Sequence, residues 1–173
     1  TGLPVHTFTD LLDCNIPYSD IRRQLNNVPF VTRPGEVYSY QNVAFSLIGD
    51  IMHNATGKDY VYLLREKIFV PLNMKDASSE YVSLIMSGNY AFPHIKLRNA
   101  WVPVSNNTRY YATAPASGIN ASIADMAQWL LAVTGTREDI INHAILDSIF
   151  KPQVEIPLRR RLKKAWPEAE NFY

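Results

Sequence analysis

The residues best suited to do chemistry lie in Arg33-Pro34-Gly35-Glu36-Val37-Tyr38-Ser39-Tyr40-Gln41-Asn42. A Pro-Gly turn delivers a short aromatic stretch to the start of a strongly amphipathic segment. Tyr40 and Asn42 therefore fall at a loop-to-helix junction, where polar tips can face a cleft. Both residues also have plain structural readings, Asn42 as a helix cap and the tyrosines as core, and spacing alone favours these. A second candidate is Ser148-Ile149-Phe150-Lys151. Its Ser-x-x-Lys spacing would let a desolvated lysine take a serine proton across one helical turn. Pro152 follows the lysine directly and disfavours helical geometry there, so the tetrapeptide reads as a chance match.

Other chemistries have less support. None of His6, His53, His94 and His143 stands four residues from another, and no His-Glu-x-x-His pattern occurs, so a hydrolytic metal site is not expected. Each histidine reads as a loop, surface or packed side chain. No Gly-rich phosphate loop is present, and no cofactor is expected. Cys14 is alone, which excludes an intrachain disulfide and a cysteine-based zinc site. Arg159, Arg160, Arg161, Lys163 and Lys164 form the one charge run, while residues 1–158 carry a net −2. Without interleaved aromatics the run reads as a solvated helix face or loop rather than a nucleic-acid site.

The elements that must position Tyr40 and Asn42 follow from periodicity. Residues 1–18 read as loop with one helical turn, Thr7 and Asp10 having capping-box spacing. Asp20 to Asn27 makes a short helix ended before Pro29. Ala44, Leu47, Ile48, Ile51 and Met52 form one apolar stripe of a helix over 42–56, stopped by Gly57. A further helix spans about 59–70, with Val61, Leu64 and Ile68 on one face and Pro71 ending it. Residues 79–88 are weakly helical. Residues 90–104 read as a two-stranded ribbon around Arg98-Asn99-Ala100, and 105–120 as a polar loop. Ser122 and Asp125 give a second capping box, followed by a stripe of Ile123, Met126, Ala127, Leu130 and Leu131 ending at Gly135. Thr136 and Asp139 repeat the spacing, and Ile141, Ala144, Ile145 and Ile149 carry the pattern to Pro152.

The chain has 173 residues and a net charge of +1, with 47% apolar and 19% charged residues. That composition is globular, and a chain of this length can bury roughly 70% of its unfolded surface. Near-neutrality gives no global electrostatic case for nucleic acid or an anionic membrane. No stretch approaches the ~20 apolar residues of a membrane span. The chain opens on Thr1, with no signal-like segment, and closes on Ala169-Glu170-Asn171-Phe172-Tyr173 with no cap, as expected of a piece of a longer chain.

Several segments, in order, resemble one family. Pro34-Gly35, then Tyr40-x-Asn42, then Phe45-Ser46-Leu47-Ile48-Gly49 resemble the Tyr-x-Asn region of class C β-lactamase-like serine hydrolases, a group that includes DD-peptidases and esterases. Thr1-Gly2-Leu3-Pro4 is similar to the end of the family's His-Thr-Ser-Gly-Leu-Pro stretch, with Thr1 in the serine place. Gly57 through Pro71-Leu72-Asn73-Met74 resembles its Thr-Gly … Pro-Leu-Gly-Met segment. Ala114-Pro115-Ala116-Ser117-Gly118 through Asp125-Met126-Ala127-Gln128-Trp129-Leu130 resembles its Pro-Ala-Gly-Gly … Asp-Met-Ala-x-Trp-Leu segment. Asn89 to His94 resembles a piece found in one branch.

The resemblance implies a mainly α fragment with a small β ribbon, the helical lobe of the β-lactamase/transpeptidase-like α+β fold. Residues 1–173 would form one partial domain. The family's Ser-x-x-Lys lies upstream of Tyr-x-Asn and its Lys/His-x-Gly strand downstream, and this sequence holds neither. Ser148 lies on the wrong side of Tyr40. By resemblance Tyr40 would shuttle the proton of serine acylation and deacylation, Asn42 would bond the substrate's acyl amide, and Gln41 would point away. The implied substrates are β-lactams, D-Ala peptides or esters, and the implied location is the periplasm or cell envelope. The piece alone would be inactive and could expose an apolar face open to association. A non-catalytic relative or binding module that keeps the lobe is the alternative.

Overall fold

The computed structural model describes residues 1–156 and 160–168. Arg159 of the basic run and the closing residues 169–173 lie outside the described residues. In chain order the elements are α1 (Thr9–Asp13), α2 (Tyr18–Gln24, continued by a 3-10 turn over Leu25–Asn27), α3 (Asn42–Phe45) and α4 (Leu47–Thr56). Then come α5 (Tyr60–Leu64, continued by a π-helical turn over Arg65–Phe69), α6 (Tyr81–Met86), β1 (His94–Leu97) and β2 (Ala100–Pro103). A 3-10 helix over Arg109–Thr113 leads into α7 (Ala114–Ser117), followed by α8 (Ile123–Val133), α9 (His143–Phe150) and α10 (Arg160–Ala165). The molecule is therefore mainly helical. Its sheet, among the described residues, is the antiparallel β1–β2 ribbon, which pairs His94 with Pro103 and Leu97 with Ala100. Arg98, in the left-handed region at φ 53°, turns the ribbon back at the predicted place.

Among the described residues, two small cores hold the helices. One gathers Phe69, Leu72, Met74, Ala132, Ile141 and Leu146, with Leu64, Trp129 and Val133 packed against it. The other gathers Leu12, Ile21 and Val43, with Phe8, Leu11, Tyr18 and Leu25 around them. Ile21 and Val43 are fully buried, and each such side chain contributes roughly 1.5–3 kcal/mol relative to exposure. Val43 is the inner neighbour of Asn42, so this second core is the root of the site. Tyr18 adds a hydrogen bond from its hydroxyl to the Val43 carbonyl at 3.3 Å. Burial, with the Asp50 carboxylate nearby, pushes the Tyr18 phenol up to about 12, which keeps it a neutral donor.

The boundaries depart from the periodicity in physically instructive ways. The helix expected over 42–56 is broken in two at Ser46, whose hydroxyl bonds back to the Asn42 carbonyl at 2.8 Å, a back-bond of the kind that bends helices. Gly57 does end α4 in the left-handed region, at φ 69°. Thr7 does not cap α1. Its hydroxyl donates to the Pro4 carbonyl at 2.6 Å, and the helix begins two residues later behind a left-handed Phe8. Thr136 and Asp139 form no cap either. Thr136 donates to the Leu131 carbonyl at 2.5 Å, Asp139 pairs with Arg137, and α9 starts at Asn142, whose side chain accepts from the Ile145 amide at 3.0 Å. The loop expected over 105–120 contains helical turns at 109–117.

The apolar stripes face outward more than inward. On α8, Ile123, Met126, Leu130 and Leu131 are exposed, Ile123 at 88%, while Asp125 and Ala132 are buried and Trp129 and Val133 pack on the core. Ile48 and Ile51 on α4, and Ile145 and Ile149 on α9, are likewise exposed. These helices are apolar on more than one side, and such a helix is built to be covered on more than one side.

Candidate active site

A cleft of about 320 Å³ opens beside Tyr40 and Asn42. Three devices build it. First, Pro34 and Gly35 form a tight turn in which the Glu36 amide donates to the Arg33 carbonyl at 3.3 Å and Gly35 takes φ 89°, a conformation suited to glycine. Second, residues 38–40, outside any regular element, run from that turn into α3, with Gln41 in an extended conformation just before the helix. Third, α7 supplies Ala116 to the cleft and packs against both α3 and α4. The packing is close at Gly49, where a Cβ would stand 3.1 Å from Pro115 Cγ.

Both expected residues line this cleft, together with Thr1, Tyr38, Ser39, Gln41, Phe45 and Ala116. Tyr40 is 48% exposed and so is not a core tyrosine. Asn42 is the first residue of α3, and the cap position falls to Gln41, which makes no capping bond, so the plain capping reading of Asn42 does not hold. Tyr40 is pinned on its other side by the N-terminal segment. The His6 amide donates to the Tyr40 carbonyl at 3.0 Å, and the two rings meet at 5.5 Å and 54°.

Gln41 has more to do than its expected turn away from the cleft suggests. It is buried, and its Nε2 donates to the Pro4 carbonyl, to Ser39 Oγ at 3.3 Å and to Thr7 Oγ1 at 3.5 Å. Those bonds clamp the N-terminal segment onto the Tyr40 loop. Gly2 makes the approach possible: its carbonyl accepts from Val31 at 2.9 Å, and a Cβ there would sit 2.5 Å from the Thr32 oxygen. His6 and the Gln41 clamp had no signal in the sequence. Thr1, Phe45 and Ala116 had one, since all three fall in the segments that carry the resemblance.

The remaining candidates behave as background. Ser148 lies in α9, but Lys151 is already extended at ψ 123°, so the pair does not share a helical turn. His53 pairs with Asp59 at 2.9 Å, His143 with Glu138, and His94 Nδ1 lies 2.9 Å from the Phe92 carbonyl. No group of three or more metal-ligating side chains occurs among the described residues. No described helix is long and apolar enough to cross a membrane.

The mainly helical fold with its small ribbon matches the β-lactamase/penicillin-binding-protein-like fold. The sequence matches the Beta-lactamase family over residues 1–167, and the chain belongs to that family. It is 31% identical over 117 residues to a D-aminopeptidase of Brucella anthropi, covering 68% of this chain and 21% of that protein. It is 29% identical over 113 residues to the D-alanyl-D-alanine-carboxypeptidase/endopeptidase AmpH of Escherichia coli, covering 62% and 26%. The chain thus spans about a fifth to a quarter of the length of these relatives. In structure it is similar to the octameric penicillin-binding protein homologue from Pyrococcus abyssi, with a TM-score of 0.75 at 21% identity over 91% of this chain and 38% of that one. It is also similar to a D-amino acid amidase from Ochrobactrum anthropi, with a TM-score of 0.65 at 20% identity over 84% and 43%. At these identities the structural likeness shows the fold.

Proposed function

We propose that this chain is the helical lobe of a class C β-lactamase-like serine hydrolase and contributes one of its three catalytic motifs. The observation that carries the reading is the joint placement of Tyr40 and Asn42 on one open cleft at the head of α3. In this reading a serine from a Ser-x-x-Lys segment elsewhere in the protein attacks the substrate carbonyl. Tyr40 takes the serine proton and passes it to the leaving nitrogen or oxygen, and Asn42 donates to the acyl amide. Water then attacks the acyl-enzyme, gives its proton back through Tyr40, and releases the serine. A phenol, with an ordinary pKa of about 10, does this near neutral pH only beside a cation. No Lys, Arg or His lines the cleft among the described residues, so the lysine of Ser-x-x-Lys and the basic residue of a Lys/His-x-Gly strand supply it.

The substrates are β-lactams, D-Ala peptides or esters, and the names of the relatives favour D-configured peptides and amides among them. The enzyme works in the periplasm or cell envelope. The exposed apolar faces of α4, α8 and α9 are covered by the protein's remaining segments, which carry its central sheet.

The test is to incubate the full-length protein with a chromogenic β-lactam, a short-chain ester and a D-alanyl anilide, and to look for an acyl adduct by mass spectrometry. Hydrolysis with a serine-linked adduct is expected, and Tyr40→Phe slows it about 10²–10⁴-fold, the usual scale for a positioned proton carrier. A full-length protein that is never acylated and is indifferent to Tyr40→Phe is instead a non-catalytic relative that keeps the lobe for binding.

A further inference from the structure

A second and larger cavity, of about 670 Å³, shares α7 with the Tyr40 cleft: Ala116 lines the cleft, and the next residue, Ser117, lines this cavity. Its walls come from α6 and the turn that follows, the loop over 104–111, and the segment 117–122. The volume is that of a small-molecule site, roughly 300–1,000 Å³. The lining is not the usual apolar one. Six serines, four asparagines and three tyrosines line it, and Asp76 is the one charged side chain among the described lining residues.

That composition selects a ligand chemistry. With no lysine, arginine or histidine in the wall, a phosphate or carboxylate ligand has no counter-charge. Asp76 is exposed, and a solvated carboxylate holds a cation weakly. Hydroxyl and carboxamide side chains both donate and accept hydrogen bonds, and the hydroxyl groups of a sugar do the same. Tyrosines add flat apolar faces beside polar tips, which suits a ring with C–H groups on its faces and O–H groups on its rim. An extended peptide added to a sheet is read by main-chain bonding to a strand edge, whereas serine and asparagine side chains on helices and loops dominate here.

The floor is already organised. The Tyr111 hydroxyl donates to Asn120 Oδ1 at 2.6 Å, and Asn120 Nδ2 donates to Ser78 Oγ at 3.0 Å and to the Glu80 carbonyl at 3.2 Å. Ser78 and Asn120 also exchange main-chain bonds of 3.0 and 2.8 Å. Tyr81 packs edge-on against Tyr111 at 5.8 Å. In the wall, Asn106 Nδ2 is shielded from solvent and has no partner, so a donor is left unspent that a small rotation of the amide would turn to a ligand oxygen. Tyr110, at 54% exposure, offers a ring that is free to stack.

We propose that this cavity binds a neutral saccharide. The binding involves no covalent step and stands apart from the hydrolase reading, so it is measurable in protein carrying Tyr40→Phe.

The experiment is titration calorimetry on the full-length protein with three uncharged probes: an N-acetylhexosamine tetramer, a hexose tetramer and an end-capped tetra-alanine. Hydrogen exchange locates the site. One of the two saccharides binds with a Kd between about 10 µM and 1 mM, with protection at residues 104–111. Tyr110→Ala weakens it at least ~10-fold while Tyr110→Phe keeps it within about threefold, because the ring and not the hydroxyl does the stacking. Asn89→Trp, at an exposed lining position, blocks the cavity and gives the same loss should Tyr110→Ala fail to fold. Three results overturn the proposal: neither saccharide binding at about 10 mM, binding untouched by the folded Tyr110 and Asn89 variants, or the capped peptide occupying the cavity more tightly than both sugars.

Discussion

At the scale of single residues, the candidate site is a pair, proposed to be reactive, held by a silent neighbour. Tyr40 and Asn42 were legible because a Pro-Gly turn and a helix start bracket them, and because both lie in the Tyr-x-Asn segment that carries the resemblance. Gln41 was not legible. Its partners are Pro4 and Thr7, more than thirty positions away, and no local pattern announces a bond of that span. Its Nε2 holds the N-terminal segment against the loop that carries Tyr40. Gln41→Ala would remove the long-range donor to the Pro4 carbonyl, which keeps only its local bonds from Thr7, at a cost of about 0.5–1.5 kcal/mol. Urea denaturation of the full-length protein should show that loss, and hydrolysis should fall with it although the reactive groups are untouched. An unchanged midpoint would mean that the N-terminal segment is held by the His6–Tyr40 and Gly2–Val31 contacts alone.

Among the elements, cap chemistry predicted well where it was reciprocal and poorly where it rested on spacing alone. At α8 the Ser122 hydroxyl accepts from the Asp125 amide at 3.2 Å while the Asp125 carboxylate accepts from the Ser122 amide at 2.9 Å. Asp125 is buried and also accepts from the Asp76 amide at 3.4 Å, so the box ties the chain after Met74 to the helix. Thr7 and Thr136 have the same spacing but spend their hydroxyls on nearby carbonyls. Ser122→Ala should cost about 1 kcal/mol, seen as a lower Tm of the full-length protein. A Tm within error of the wild type would show that Asp125 alone sustains the helix start. The helical stripes were legible as helices, but which way they face was not. Periodicity counts apolar residues, and on α8 Ile123, Met126, Leu130 and Leu131 point out while Trp129, Ala132 and Val133 point in. Only packing partners decide which face is the inner one.

For the whole molecule, the helical class, the ribbon and the family could be read from the sequence, because they rest on ordered segments spread over most of the chain. The larger cavity could not. Its serines and asparagines come from separate stretches that read as weak helix, polar loop and helix cap, with nothing local to join them. Charge is arranged locally rather than globally. Glu66 accepts from Lys58 at 2.8 Å and faces Lys67 at 3.0 Å, and the bonds from Lys58 and then Lys67 lower its pKa from 4.5 to about 2. A carboxyl depressed by folding stabilises the protein fully above its unfolded pKa, and the contribution is lost as pH falls through the folded value. The stability gap between wild type and Glu66→Gln should therefore be constant above about pH 5 and close between about pH 4.5 and 2. Urea midpoints across that range test this. A gap that persists at the acid end would assign the effect to packing of the side-chain stem.

The shortest approach near α7 has a consequence for how such a protein can diversify. A Cβ on Gly118 would lie 2.6 Å from the Ala114 Cα and 2.8 Å from its Cβ, so no side chain enters there without displacing the helical turn of Ala114–Ser117. That turn is a party wall between the reactive cleft and the hydroxyl-rich cavity. A lineage acquiring a new substrate by moving the wall would alter both compartments in one mutational step. One that keeps glycine at 118 can remodel each compartment from its outer loops, one at a time. The absent side chain thus acts as a constraint on inheritance, keeping the cleft and the cavity free to change independently.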